Sequence, residues 1–217
     1  MCVRYWYAML VTVVCLNISG CGDSTGNDAN ANSSSPVAIF QSFSFTATVD
    51  YISGSPLFNV AIGDKLNGKI TYQSNADDWN IYSVNQGWFH DMASPSRIEF
   101  NLNSLTYTSS DNEYYILIEN DDASVPPVRD IFAIYSRSNE DPYLSSTFEL
   151  RDFTASVFST STCNSLPQSL NISNFSNNEM FITYNNSVAS WGIRLVPDTL
   201  TGSSGGVVGS DQGDMLR

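Results

Sequence analysis

Phe43-Ser-Phe-Thr-Ala-Thr-Val-Asp-Tyr51 is the stretch that decides the fold class, because apolar and polar side chains alternate along it. Successive side chains of a β-strand point to opposite faces, so this period of two predicts a half-buried strand with one wet face. The alternation returns at Leu66–Tyr72 and at Ile98–Leu102. The chain is therefore expected to build its core from sheets.

Two further segments, Glu113–Glu119 and Asp130–Tyr135, are apolar at nearly every position and predict central strands covered on both faces. Strands every 10–15 residues, separated by polar turns, predict an all-β domain, either an antiparallel β-sandwich or a jelly roll. At most one short helix is expected, around Phe153–Ser159. Four later strands are expected at 147–151, 169–173, 180–184 and 191–196.

One change of phase stands out in this pattern. Leu105 and Tyr107 are shifted by one position from the alternation of Ile98–Leu102. A shift of one residue would turn the apolar face outward, so the sequence predicts a bulge near Asn103-Ser104.

The first twenty residues differ from the rest of the chain. Ala8–Leu16 is an apolar run too short to cross a bilayer, which needs about 20 residues, and its length is typical of a signal peptide. Ile18-Ser19-Gly20-Cys21 resembles the lipobox of bacterial lipoproteins. That resemblance implies cleavage before Cys21 and lipid on its thiol, which anchors a protein stably when several acyl chains are present.

These features predict four parts: a signal peptide at 1–20, a disordered tether at 21–37, a β-sandwich domain at 38–198 and a disordered tail at 199–217. The tether is rich in Gly, Ser, Asn and Asp and cannot bury apolar area. Gly22, and not Asp, follows the cysteine, so the lipoprotein resemblance implies the outer membrane if the source is Gram-negative.

The charge of the chain limits its partners. Its 22 Asp and Glu outnumber nine Lys and Arg, which gives a net charge of −13. Nucleic acid binding needs cationic side chains along the phosphates, so it is excluded. If Cys2 and Cys15 leave with the signal and Cys21 is acylated, Cys163 has no partner for a disulfide and is expected to be buried or inert.

The sequence contains no constellation typical of an enzyme, and we predict that the protein is not one. His90 is the only histidine, so a zinc site or a nucleophile with an imidazole base is not expected. We expect His90 in a solvent-facing loop. Glycoside hydrolysis needs only two carboxylates, yet Glu99 and Glu149 are isolated on their predicted strands. No cofactor is expected apart from a structural ion.

That ion would be calcium, which binds hard oxygen ligands. Asp121, Asp122 and Asp130 are the candidate ligands, because they flank adjacent central strands. Asp77-Asp78, and Asp111 with Glu113, are weaker alternatives, and all of these side chains could be solvated loop charges.

Aromatic residues cluster around a polar segment and are the candidate ligand-binding residues. Trp79, Tyr82 and Trp88 could stack on the faces of sugar rings if they lie at the surface. The alternative is that they pack in the core.

Several segments resemble the β-rich ectodomains of exosortase-sorted (PEP-CTERM) proteins. The likeness is carried by 43–49, by Val60–Tyr72 with its Gly63-Asp64 and Gly68, by Ile118–Asp122 with Asp130–Phe132, and by Leu166–Phe175. The Pro-Glu-Pro signal, the terminal membrane helix and the basic tail of that family are missing after Val196. The resemblance implies a surface protein linked to exopolysaccharide and no catalytic residues.

The function predicted from the sequence is therefore that of a lipid-anchored envelope protein. Its domain would act as a binding or scaffold module that contacts polysaccharide or other envelope proteins. A polysaccharide-active hydrolase on a jelly roll and a purely structural subunit of a surface assembly are the alternatives.

Overall fold

A computed structural model of the chain describes residues 37–80, 85–90, 92–120, 129–158, 163 and 165–203. They all belong to the unit Pro36–Arg217. The predictions for Cys21, Tyr82, Asp121 and Asp122 lie outside the described residues.

Strands make up more than half of the described part of the chain, which also has one turn of 3-10 helix at Ile172–Asn174 and no α-helix. Its nine strands are β1 Phe40–Ser53, β2 Lys65–Gln73, β3 Gln86–Phe89, β4 Arg97–Leu102, β5 Leu105–Glu119, β6 Asp130–Ser138, β7 Leu144–Asp152, β8 Asn177–Asn185 and β9 Ser190–Ser203.

These strands close into one antiparallel barrel. Each strand of the order β5-β4-β2-β1-β9-β8-β7-β6 pairs with its neighbours, and β5 also pairs with β6. The prediction of an all-β fold is confirmed, but the strands form an eight-stranded barrel in place of the expected sandwich or jelly roll. Alternation along a strand is the same in both architectures. The barrel differs from the sandwich in the pairing of β1 with β9. These strands are far apart in sequence, and local patterns do not encode their pairing.

β3 and β4 together occupy one position in the barrel wall. β4 pairs with the first part of β5 and β3 pairs with its last four residues, while β6 takes the other edge of β5. The free edge of β3 is closed in turn by the segment before it, because the Trp79 amide donates to the Trp88 carbonyl at 2.8 Å. The chain thus reaches the outside of the wall at Trp79.

The interior is filled by inward-facing side chains, as expected for a barrel of eight strands. Phe148 packs edge-on against Phe45, with ring centroids 5.1 Å apart. Gly68 leaves room for the same Phe45 ring, since a Cβ at this position would lie 2.4 Å from Phe45 Cζ. The largest fully buried side chains are Tyr72, Tyr107, Phe43, Phe45, Phe89, Phe100, Phe132 and Phe148.

Two details of the strand prediction are corrected first. Asn103-Ser104 is the turn of a hairpin and not a bulge, because Leu102 pairs directly with Leu105. A turn reverses the chain and shifts the phase of alternation just as a bulge does. Tyr51 was expected on the buried face, but a register shift between Val49 and Tyr51 leaves it 55% exposed.

The other corrections concern the connection after β7 and the end of β9. The expected strand at 169–173 is partly 3-10 helix, and the expected short helix is replaced by turns over its described residues, 153–158. β9 continues to Ser203, beyond the expected domain boundary at 198.

The β7–β8 connection covers one end of the barrel. The Asp130 carboxylate, wholly buried, accepts the amides of Val157 and Phe158 at 2.7 and 2.8 Å. The Tyr72 hydroxyl donates to the Pro167 carbonyl at 2.5 Å. We call this connection, in its described residues, the cap. Because β7 ends and β1 begins at the same end of an antiparallel barrel, the chain enters the domain beside the cap.

Candidate functional site

Three aromatic side chains stand in a row on the outer wall, one on each of three neighbouring strands. Trp88 on β3 lies 5.7 Å from Tyr115 on β5, and Tyr115 lies 5.0 Å from Tyr135 on β6, with interplanar angles of 25° and 17°. Rings that lie side by side in one plane cannot come this close. These rings therefore face each other in an offset stack. Tyr115 therefore has a neighbour on each face and presents its edge and hydroxyl to the outside.

This row rests on an apolar floor outside the barrel. Leu117, Ile131 and Ala133 point away from the interior yet are at most 6% exposed, and Trp88 and Tyr135 pack against them. β5 and β6 are thus covered on both faces at Leu117, Ile131 and Ala133, which confirms this part of the prediction, whereas Glu113 is exposed and Tyr115 and Tyr135 are half-buried. Because the floor is packed, the aromatic side chains are held in place before any ligand binds.

Trp79 extends the row beyond β3. Its indole is 58% exposed, and one of its faces lies against the imidazole of His90, with ring centroids 4.0 Å apart. The hydrogen bond from its amide to Trp88 places it directly beside β3. Core packing is therefore wrong for Trp79, while Trp88 is half-buried. We call Trp79, Trp88, Tyr115 and Tyr135 the aromatic track.

One border of the track is a chain of polar side chains. Asn80 donates to Gln86 at 3.3 Å, and Gln86 donates to Glu119 at 3.0 Å. Glu119 then pairs with Arg129 at 3.4 Å. Amide and carboxylate groups held in this way can exchange hydrogen bonds with hydroxyl groups of a ligand.

The other border is a shallow depression of about 370 Å³, which begins beside Tyr115 and continues past Tyr135 to Thr147 on β7, at the end of the row away from Trp79. We call it the polar basin, and it is lined mainly by Glu113, Tyr115, Tyr135, Arg137, Ser145 and Thr147. Glu113 and Arg137 form an ion pair across it at 2.8 Å. The volume lies at the lower end of the range for small-ligand sites, which suits one small hydroxylated group.

The tyrosine hydroxyls of the track stay protonated near neutral pH. Burial raises the pKa of Tyr115, and burial with the Glu149 carboxylate and other neighbours raises the pKa of Tyr135. A protonated hydroxyl both donates and accepts, so each ring adds a polar handle to its apolar edge.

Most cations of the described barrel are paired with carboxylates, and among the described lysines and arginines Lys69 alone is in no ion pair. Each described arginine pairs with a carboxylate, and so does one lysine. The pairs are Lys65–Asp198, Arg97–Glu99, Arg129–Glu119, Arg137–Glu113, Arg151–Glu149 and Arg194–Asp50. The outer wall therefore offers no cationic patch to an anionic polymer, in a chain whose net charge is −13.

Glu149 is not isolated in space, because it faces Glu179 across β7 and β8. Arg151 donates to both carboxylate oxygens of Glu149, at 2.5 and 2.7 Å, and Arg194 lies 3.9 Å from Glu179. Guanidinium groups favour ionised carboxylates. Glu149, Glu179 and the two arginines thus form a cluster of ion pairs on the outer wall.

Cys163 is buried, as the sequence indicates. Burial, together with the Asp78 and Asp130 carboxylates, raises the pKa of its thiol to about 11. The nucleophilic thiolate is therefore disfavoured at neutral pH. His90 lies in the connection after β3, half-buried against Trp79.

The calcium hypothesis stays a prediction. Asp130 is the first residue of β6, and its carboxylate holds the cap, whereas Asp121 and Asp122 are outside the described residues. In the described ranges, His, Cys, Asp and Glu form no group of three arranged to hold a metal.

Sequence reasoning missed Tyr115 and Tyr135, which belong to segments interpreted only as central strands. Each is an aromatic residue at an outward-facing position of its strand. The two can be recognised as neighbours only when the pairing of Tyr115 with Tyr135 is known.

The fold and the track define an all-β barrel module with a preformed aromatic outer surface. Comparison of the chain with models of protein families, with curated proteins and with solved structures finds no match to any of them. The resemblances to lipoproteins and to exosortase-sorted proteins thus stay predictions. Within the described residues, no helix is long and apolar enough to span a bilayer.

Proposed function

We propose that this chain is a lipid-anchored protein of the bacterial cell envelope, in the outer membrane of a Gram-negative source, whose barrel binds polysaccharide along the aromatic track. The observation that carries the proposal is Trp79. One face of its indole packs against His90, its backbone amide is bonded to the Trp88 carbonyl, and the residue is 58% exposed. Sugar rings present C–H groups that pack on an exposed aromatic ring and hydroxyls that bond to polar groups beside it.

The surroundings of the track support this ligand over other polymers. Polar borders flank it on both sides, and their charged members are paired with each other. A hydroxyl-rich, uncharged chain would find hydrogen bonds there without having to displace a counterion. Binding in this form needs no catalytic group.

The proposal is tested by affinity electrophoresis of the whole chain, in detergent, through native gels that contain mixed-linkage β-glucan, glucomannan, xyloglucan or dextran. Retardation in at least one gel is expected. Trp79→Ala should weaken that binding about tenfold, which corresponds to a loss of about 1.4 kcal/mol from one ring contact.

Tyr143 provides a matched control for this variant. It is an aromatic residue of similar exposure, 52%, it also packs against one ring, and it lies at the end of the barrel opposite the cap. Tyr143→Ala should migrate like the parent chain. Equal retardation of Trp79→Ala and the parent, or free migration of the parent in every gel, would show that the track does not bind these glycans.

The anchor has a separate test. In a bacterial host, metabolic labelling with radioactive palmitate should mark the parent chain and not Cys21→Ala, because the proposed acyl chains need this thiol and the new amine next to it. Cys163→Ala serves as the control and should be labelled like the parent. Equal labelling of Cys21→Ala would contradict the anchor and leave the glycan proposal standing.

A further inference from the structure

The aromatic track runs across the strands and not along one of them. From the segment at Trp79 it passes over β3 and β5 to Tyr135 on β6, and Thr147 on β7 continues the same level of the sheet. Neighbouring strands lie about 4.8 Å apart, so four such steps span about 19 Å. That length accommodates several sugar rings in a row.

Both ends of this path are open along the described surface. At one end Trp79 is exposed, and at the other the polar basin is a shallow depression and not a closed pocket. A site that recognises the end of a chain needs a wall that stops the chain. The described residues place no such wall across the track.

Two ion pairs border the track, and the Asp78 carboxylate beside Trp79 accepts the amides of Asn80 and Trp88. Glu119 pairs with Arg129 on one border, and Glu113 pairs with Arg137 on the other. A uronic acid or a sulfated sugar would place a carboxylate or sulfate beside Glu119 or Glu113 with no cation left to receive it. The path is therefore matched to sugars without charge.

We infer that the track binds internal segments of a linear, uncharged polysaccharide, with about four or five sugar units in contact, and that it does not recognise chain ends. This inference rests on the proposed function and specifies its ligand. Trp79 holds one end of the segment by stacking, the edges of Tyr115 and Tyr135 support its middle, and the polar basin receives the other end.

The test uses oligosaccharides of two to eight units, cut from whichever neutral polymer retards the chain, as competitors in the same gels. Their inhibition constants should fall at least tenfold from two units to five and then level off, since about four strand spacings limit the contact. Oligosaccharides reduced with borohydride at one end should compete as well as untreated ones. Alginate and polygalacturonate should not retard the chain.

Variants at the two ends of the path give a second readout. Trp79→Ala and Thr147→Ala should each weaken binding of the five-unit ligand, and their effects should multiply in the double variant. A two-unit ligand cannot reach both ends of the path. For this ligand, the losses of binding caused by the two substitutions should not multiply.

Two units that bind as tightly as eight, or loss of binding after reduction of the end, would overturn the inference and leave the proposed function intact. Preferential binding of alginate or polygalacturonate would likewise overturn it. If no neutral polymer is bound, both the proposed function and this inference fail.

Discussion

Replacing Phe148 with alanine is expected to lower the free energy of unfolding by about 4 kcal/mol. Phe148 is 0% exposed, and its ring meets Phe45 edge-on in the barrel interior. Removal of a buried phenyl ring costs both its transfer from water and the cavity that remains. The neighbouring side chains cannot move in to fill it, because closed strand pairing holds their backbones apart.

Urea unfolding, followed by tryptophan fluorescence or circular dichroism, measures this loss. Phe153→Ala is the matched control, since Phe153 is 45% exposed at the start of the cap and its truncation should cost less than about 1 kcal/mol. Similar losses for the two variants would mean that the barrel interior is not packed as described.

Asp152→Asn is expected to cost about 2 kcal/mol at neutral pH and progressively less as the pH falls from about 4 to 2. The Asp152 carboxylate is 2% exposed and accepts hydrogen bonds from the amides and hydroxyls of Thr154 and Ser156. Burial alone would raise its pKa, but these hydrogen bonds outweigh burial and lower the pKa to about 2.

The sign of the pH effect follows from that lowered pKa. A carboxyl whose pKa is lower in the folded state stabilises the fold when ionised, above about pH 4. The stabilisation is lost as pH falls through the folded value near 2. The difference between parent and variant should therefore shrink over this range.

Urea titrations at several pH values between 7 and 2 measure that difference. Asp111→Asn, at an exposed position of β5, is the control, and at neutral pH it should cost less than about 0.5 kcal/mol. A gap between parent and Asp152→Asn that stays constant down to pH 2 would contradict the role given to the carboxylate.

The sequence predicts the strands better than their arrangement. Alternation at Phe43–Val49 correctly identifies the inward face, because burial of every second side chain is a local property. It fails at Tyr51, where a register shift against β9 turns the side chain outward. Closure into a barrel depends on pairing between strands more than 100 residues apart, which no window of sequence contains.

The same limit applies to the candidate site. Trp79 and Trp88 can be chosen from the sequence, because they cluster around a polar segment and are separated by only nine positions. Tyr115 and Tyr135 cannot, because they come together only through the register of β5 with β6. The sequence interpretation of Glu149 as isolated fails for the same reason, since Glu179 faces it from another strand.

The way the chain enters the barrel determines how the protein resists force. The Asn75 side chain accepts the Ile39 amide and donates to the Val37 carbonyl, both at 2.9 Å, and so clamps the chain just before β1. β1 is then bonded along its length to β2 on one edge and to β9 on the other. A pull on residue 37 along the strand loads these two ladders in shear, so many hydrogen bonds share the force at once. A domain held by its N-terminus against a bound polymer would be loaded in the direction in which β-structure is strongest.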